Sequence, residues 1–248
     1  MKIKTTLTAL ALTAAFSLNA DAQTFLAETF DDASDFTIGN ATPDSNIFFA
    51  DTFGDFLGLT GGTDDFGADS APPGLKEYTG FTGSYLTGMD LDGEGAASLF
   101  TFTWSGIDIS TATDSLEFSG SFAEFFDDPG DIDASDAFFV EAQVDGEGWT
   151  TIIEFSPGSF TSTASGGSNG FFELGDITLG NAAQTVTAAI PSSGSDLDIR
   201  LTVDLNSGDE DFGVDNFFVT QVPEPSSFAL LAGCLALSSV MMRRRSIK

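Results

Sequence analysis

The residues most able to bind a metal ion or take part in chemistry are carboxylates, which are gathered in three short segments between apolar runs. Calcium prefers six to eight hard oxygen ligands, so a site for it needs several carboxylates brought together by a loop. No segment reproduces the EF-hand loop, which requires Gly at its sixth position and Glu at its twelfth. The segments therefore leave two alternatives, a structural Ca²⁺ site or ordinary solvated turns. Their residues are Asp127, Asp128, Asp131, Asp133 and Asp136; Asp204, Asn206, Asp209 and Asp211; and Asp90, Asp92 and Glu94.

The composition excludes several kinds of catalytic site. The chain contains no His, and its single cysteine, Cys234, lies near the C-terminus. A His-dependent triad, a His-ligated zinc site and a thiolate nucleophile are therefore excluded from the body of the chain. A retaining glycosidase needs two carboxylates about 5 Å apart, and an acidic chain supplies such pairs by chance. The Glu-x-Asp-x-x-Glu pattern of jelly-roll glucanases is absent, so a non-catalytic role is favoured and a hydrolase is the weaker alternative.

The charge of the body restricts its partners. Removing Asp21 and Glu224 from the 38 acids leaves 36 in residues 23–221, against Lys76 and Arg200, for a net charge near −34. Such a surface repels nucleic acid phosphates and anionic lipid. Divalent cations, or salt that screens self-repulsion, are better partners. Because the acids alternate with apolar residues, and 24 of the 26 Phe lie in this body, the chain has material for a core.

Exposed aromatic rings are the usual contacts for sugars, and the body has few Trp and Tyr residues. Trp149 lies beside a turn, while Tyr78 and Tyr85 flank a Gly- and Thr-rich stretch. These three are the candidate ligand contacts, although packing in the core or at an edge is the favoured interpretation. Trp104 is expected to be buried.

Period-two alternation predicts β-strands. In residues 196–204, Leu197, Ile199, Leu201 and Val203 fall on one face and polar residues on the other. Phe100, Phe102 and Trp104 alternate in the same way. The glycine-rich stretch Asp145–Gly148 predicts a β-hairpin turn.

About a dozen short strands and no long amphipathic helix predict an all-β fold. Two packed antiparallel sheets in a jelly-roll-like β-sandwich are favoured over a closed barrel. The further predicted strands are Thr24–Phe30, Ile47–Ala50, Phe56–Leu59, Tyr85–Leu91, Phe171–Thr178, Thr185–Ile190 and Val214–Thr220.

Both ends of the chain combine an apolar run with cations. At the N-terminus, Lys2 and Lys4 precede the run Leu7–Leu18, and Ala20 and Ala22 are small residues suited to signal cleavage. This pattern predicts a secretory signal peptide over residues 1–22, helical in its apolar part.

At the C-terminus, Pro223-Glu224-Pro225 precedes an apolar run over residues 228–242, followed by Arg243, Arg244 and Arg245. The order and spacing resemble the PEP-CTERM sorting signal of exopolysaccharide-producing Gram-negative bacteria. The resemblance implies export, transient anchoring in the inner membrane by a short helix, and recognition of the Pro-Glu-Pro motif by an exosortase. An ordinary short anchor without processing is the alternative. Residues 222–248 are thus predicted to be a sorting signal, separate from an acidic domain over residues 23–221.

Three short motifs in the body resemble secreted jelly-roll modules of the carbohydrate-binding and adhesion type. They are ETFDD near the start, VDGEGWTTIIEF in the middle and FGVDNFFV near the end. In many such modules, acids of the first and last strands hold a structural calcium. The resemblance implies that Glu28 and Asp215 form such a pair.

These observations lead to an exported, non-catalytic cell-surface or matrix protein associated with exopolysaccharide and biofilm. A calcium-dependent carbohydrate-binding module is the alternative.

Overall fold

Alternating apolar and polar residues form fourteen strands in the part of the chain that the structure describes. The computed structural model describes residues 22–39, 46–50, 55–61, 76–92, 98–124, 132, 134–157, 171–191, 193–206 and 210–222. The predicted signal peptide and sorting tail, apart from Ala22 and Val222, lie outside these residues. The strands are β1 (Thr24–Glu28), β2 (Thr37–Gly39), β3 (Ile47–Ala50), β4 (Phe56–Thr60), β5 (Tyr85–Met89), β6 (Leu99–Asp108), β7 (Leu116–Ala123), β8 (Ala137–Val144), β9 (Thr150–Pro157), β10 (Phe172–Leu174), β11 (Ile177–Thr178), β12 (Gln184–Ala189), β13 (Asp196–Asp204) and β14 (Asp211–Gln221).

The strands pair antiparallel in two seven-stranded sheets. Sheet A has the order β12-β7-β14-β5-β4-β3, and β1 pairs with the second half of β14. Sheet B has the order β11-β10-β9-β8-β13-β6-β2. From β5 to β8 the chain changes sheet at every connection, and it does so again from β11 to β14. The predicted all-β fold with two antiparallel sheets is confirmed.

An aromatic core joins the inner faces of the two sheets. Phe217 of sheet A lies 5.3 Å from Trp104 of sheet B, measured between ring centroids. Phe122 of sheet A lies 5.0 Å from Phe155 of sheet B. Burial of such rings is the main driving force for packing two sheets face to face.

The predicted alternation of β13 and β6 is confirmed. The side chains of Leu197, Ile199, Leu201 and Val203 are fully buried, and so is Phe102. Their polar neighbours Asp198 and Arg200 lie on the opposite, outer face of sheet B, where they are half-buried.

The turn predicted at Asp145–Gly148 connects β8 and β9. Asp145 and Gly146 have φ angles of 50° and 72°, the left-handed conformation that tight hairpin turns require. The Asp145 carboxylate accepts hydrogen bonds from the backbone N–H groups of Ser195 and Asp196, which fixes the turn against the start of β13.

Two details of the strand pattern differ from the prediction. The stretch predicted as one strand at Phe171–Thr178 is a hairpin of β10 and β11, because Gly175 takes a φ of 61° between them. Strand β2 was missed, since three residues are too few to show periodicity.

The described residues include no helix of the length and apolarity that crossing a bilayer requires.

Candidate functional site

The acids that the resemblance paired, Glu28 and Asp215, lie on neighbouring strands of sheet A. Glu28 ends β1, where it is the register partner of Phe217 on β14. Its side chain is only 3% exposed. Oε1 accepts a hydrogen bond of 2.6 Å from the Phe30 backbone N–H, and Oε2 accepts one of 2.8 Å from Trp104 Nε1. Glu28 therefore links the end of β1 to the core of sheet B.

Asp215 is buried at a bulge in β14. Its partner on β7 is Ser121, but the register has shifted at the next pair, Phe218 with Ser119. Within the bulge Asn216 has a φ of 57°, a conformation that Asn tolerates better than most residues. Both the backbone N–H and the side-chain amide of Asn216 donate to the Asp215 carboxylate, at 2.7 and 2.6 Å. The bulge thus interrupts the regular pairing of β14 with β7 and holds the Asp215 carboxylate in place through Asn216.

Glu28, Asp31 and Asp215 form an electrostatically unfavourable group. Burial raises the pKa of Asp215 to about 6 against the hydrogen bonds from Asn216 and Thr82, and the charges of Asp31 and Glu28 raise it further. Burial also raises the pKa of Glu28, against the hydrogen bonds from Trp104 and Phe30. A bound cation would relieve this repulsion.

The described residues contain no group of three or more acids in an arrangement that could hold a metal ion. The structure places Glu28 and Asp215 on adjacent strands, as the resemblance implies, and their role as calcium ligands stays a prediction. Of the acids in the three segments, Asp127, Asp128, Asp131, Asp133, Asp209 and Glu94 lie outside the described residues.

Two of the three acidic segments approach each other at one end of the sandwich. Asn206 Nδ2 donates to Asp136 Oδ1 at 3.1 Å and to Ser135 Oγ at 2.9 Å. The Asn206 backbone N–H donates to Glu210 Oε2 at 2.6 Å. Asp204 is separate from this group, because it lies on the outer face of sheet B opposite Ala137.

Glu124 is the most strongly perturbed carboxyl group near this end. It follows β7 and is 3% exposed, and Oε2 accepts a 2.8 Å hydrogen bond from the Phe172 backbone N–H of sheet B. Burial raises its pKa to about 8, against that hydrogen bond, and the charges of Asp211 and Asp136 raise it further. Sequence reasoning missed Glu124, since nothing in the local pattern marks it as buried.

The third acidic segment also contains a perturbed carboxyl group. Burial raises the pKa of Asp90 to about 7, and hydrogen bonding with Asp55 and Asp92 raises it further. Asp55 precedes β4 and is 3% exposed, whereas Asp90 follows β5 with a φ of 46°. Two carboxyl groups that are close enough to form a hydrogen bond share a proton more readily than they both ionise.

Tyr78 and Tyr85 belong to a small aromatic cluster with Phe81. Their side chains are 8% and 3% exposed, and the two tyrosine rings are 5.7 Å apart. Phe81 lies 4.8 Å from Tyr85. Neither tyrosine offers a ring face to solvent, which corrects the prediction that they contact a ligand.

Trp149 is half-buried beside the β8–β9 turn, next to the outer face of sheet B. The guanidinium carbon of Arg200 lies 4.2 Å from the centre of its ring. Nε and Nη2 of Arg200 both donate to Glu141 Oε2, at 2.9 and 2.6 Å. The register continues this polar row from Glu141 through Arg200 to Thr103 and Thr37. Arg200 covers one face of the indole, and the other face, next to this row of donors and acceptors, is an arrangement suited to a sugar.

Sequence reasoning found Trp149 but missed its partners. Arg200 is one of two cations in residues 23–221, and this rarity could have marked it as a candidate site residue. Glu141 gave none, because its position opposite Arg200 depends on the pairing of β8 with β13.

A groove of about 700 Å³ lies between the β6–β7 loop and the β12–β13 loop. Its walls include Ile109, Leu116 and Ile190 together with Thr113 and Ser115. Gln221 Oε1 accepts a hydrogen bond of 2.9 Å from the Thr113 backbone N–H, which fixes the β6–β7 loop against the end of β14. No aromatic ring is among the residues that line it, so it lacks the stacking surface found beside Arg200.

No protein-family profile matches the sequence, and no curated protein matches it. Solved structures with a similar arrangement include carbohydrate-binding and adhesin domains. The CBM22-1 xylan-binding domain of Xyn10C from Paenibacillus barcinonensis is 11% identical, with a TM-score of 0.40 over 82% of this chain and 97% of that one. The K3 adhesin domain of Lys-gingipain from Porphyromonas gingivalis is 10% identical, with a TM-score of 0.45 over 80% of this chain and 100% of that one.

The C-terminal family 22 carbohydrate-binding module of Xyn10B from Clostridium thermocellum is 16% identical, with a TM-score of 0.38 over 81% of this chain and 96% of that one. At these identities and scores, no ligand or site residue is transferred. The strand pairing of this chain itself defines the β-sandwich.

Proposed function

We propose that this protein is an exported, non-catalytic surface or matrix protein that is held in exopolysaccharide by divalent cations. In the described part of the chain the cations are Lys76 and Arg200, and each already contacts a carboxylate. Lys76 Nζ lies 3.8 Å from Asp211 Oδ2, and Arg200 is bound to Glu141. Attraction to an acidic polysaccharide must therefore come from metal ions bridging the two sets of carboxylates.

The two termini support export and sorting. The N-terminal pattern supports secretion, and the resemblance of the C-terminal tail to PEP-CTERM signals supports processing by an exosortase after transient anchoring in the inner membrane. Glu28 and Asp215 are the pair we assign to a structural Ca²⁺, because the two buried carboxylates repel each other until a cation is present. The pair is distinct from the surface acids that would bridge to polysaccharide.

Binding of the purified full chain to immobilised polygalacturonate tests the proposal. We expect binding in millimolar CaCl₂, loss of binding in excess EGTA, and no binding to a neutral dextran surface. Biolayer interferometry at fixed ionic strength measures all three. Binding that persists in EGTA, or that never occurs with calcium, contradicts cation bridging.

A calcium-dependent carbohydrate-binding module is the second candidate, and the Trp149–Arg200–Glu141 arrangement favours it. A sugar ring would stack on the indole face that Arg200 does not cover, while its hydroxyl groups bond to donors and acceptors of the polar row. In the same assay against neutral glycans, Trp149→Ala should then lower the affinity at least tenfold, whereas Trp149→Phe should retain part of it. Cation bridging alone predicts equal binding of polygalacturonate by the wild type and by both variants.

A further inference from the structure

The two sheets leave five edge strands among the described residues, and one of them differs from the rest. A sheet edge carries backbone N–H and C=O groups that can pair with another chain, and proteins protect edges by short strands, bulges, charges or proline. Strand β11 has two residues and β2 has three. Strand β3 has four residues with a register shift between Ile47 and Phe49, and β1 has five with a register shift between Thr24 and Leu26. Strand β12 has six residues, and its pairing with β7 continues without a shift.

The backbone groups on the outer side of β12 can be identified from its neighbours. Ile190 N–H donates to Leu116 O. The backbone N–H and C=O groups of Ile190, and of every second residue before it, therefore point towards β7. Ala183 N–H points the other way, where it donates to Thr79 O. The backbone N–H and C=O groups of Thr185, Thr187 and Ala189 point to the same side as those of Ala183, away from β7. Within the described residues no strand pairs with this side of β12.

Strand β12 is also free of charge. Its sequence QTVTAA contains no acid and no proline, in a chain with 38 acids among 248 residues. The side chains of Thr185, Thr187 and Ala189 are exposed. Like charges directly opposite each other destabilise strand pairing, so a neutral edge suits an acidic chain that meets its own copy. The edge strands β2, β3 and β11 are also uncharged, and β12 differs from them in its length and its regular pairing.

We propose that β12 pairs antiparallel with β12 of a second copy of this chain and joins the two A sheets. A two-fold axis at Thr187 places Thr187 opposite itself and Thr185 opposite Ala189. This register forms about six main-chain hydrogen bonds and a favourable Thr–Thr pair without bringing two carboxylates together. The arrangement uses the same surface patch on both copies, as a closed symmetric dimer requires.

The association is expected to depend on salt. Each body carries a net charge near −34 by sequence, so two copies repel one another until ions screen that charge. The paired strands are short, and the dimer should therefore dissociate on dilution at low ionic strength.

Sedimentation velocity of the full chain in density-matched detergent tests this inference. We expect a monomer in dilute buffer and a dimer population that grows with protein concentration and with NaCl. Thr187→Lys places two lysines opposite each other at the axis and should abolish the dimer. Thr151→Lys is the matched control, because it makes the same substitution at an exposed position of β9.

The two variants separate edge pairing from charge. Each adds one positive charge to an acidic body and so reduces the long-range repulsion equally. Loss of the dimer in Thr187→Lys alone supports the inference, provided that the circular dichroism spectrum is unchanged. A dimer that survives Thr187→Lys, including one formed through the C-terminal apolar run, overturns it. So does a wild-type chain that stays monomeric at every salt concentration.

Discussion

Glu124→Gln is expected to stabilise the protein at pH 8 and to leave its stability at pH 4 nearly unchanged. The carboxyl group of Glu124 is buried, and its pKa rises from the ordinary 4.5 to about 8 in the folded protein. The folded state therefore holds a proton that the unfolded state releases above about pH 4.5. The stability conferred by that neutral form is fully present below pH 4.5 and is lost as the pH rises through 8.

The magnitude follows from the size of the pKa change. Ionising Glu124 in its buried position costs about 4–5 kcal/mol at pH 8, which corresponds to roughly 10–15 °C in melting temperature for a domain of this size. Gln resembles the protonated acid in shape and retains an oxygen to accept from the Phe172 N–H. Thermal melts from pH 4 to pH 9 in the presence of chelator measure the difference.

A matched control removes the same charge at the surface. Glu154 on β9 is exposed, so Glu154→Gln should shift the melting temperature by less than about 2 °C across the range. If Glu124→Gln and Glu154→Gln gave parallel pH profiles, the effect would come from net charge alone and the buried proton of Glu124 would be refuted.

Phe217→Ala is expected to destabilise the fold by about 3–5 kcal/mol, the usual cost of removing a fully buried aromatic ring. The side chain is 0% exposed. Its ring lies 5.2 Å from Phe30, 5.3 Å from Trp104 and 5.1 Å from Phe118, measured between centroids. Removal leaves a cavity where the first strand, the last strand and sheet B meet. Urea unfolding measures the loss.

The adjacent residue on the same strand provides the control. Phe218 points to the other face of sheet A and is half-buried, so Phe218→Ala should cost about 1 kcal/mol. Equal costs for the two substitutions would show that Phe217 is not the centre of the core.

The alternation of β13 and β6 was predictable because their apolar side chains face the core while Asp198, Arg200 and the threonines of β6 face outwards, as a half-buried sheet requires. The hairpin at Asp145 was predictable because two glycines and an Asp suit its left-handed residues. The same reasoning fails for Glu28, Glu124 and Asp215. A local pattern treats an acid as a solvated residue, and their burial depends on partners 48 or more positions away, such as Phe172 for Glu124 and Trp104 for Glu28.

The candidate ligand site shows the same division. Trp149 was recognisable from its residue type and its position beside a turn. Its contact with Arg200 and the position of Glu141 required the register of β13 with β8, which the sequence does not encode locally. Tyr78 and Tyr85 had the residue type of a sugar contact, yet Ala123 and Phe81 enclose them in a second small core.

Fractionation of the source cells tests whether the protein is exported, processed and held in polysaccharide. Antibody detection and mass spectrometry of both chain ends would be applied to the cytosol, the membranes and the extracellular polysaccharide. We expect a chain shortened at both ends, recovered with the polysaccharide and released from it by a calcium chelator. An intact chain in the cytosol, or a polysaccharide-bound chain that the chelator does not release, would contradict it.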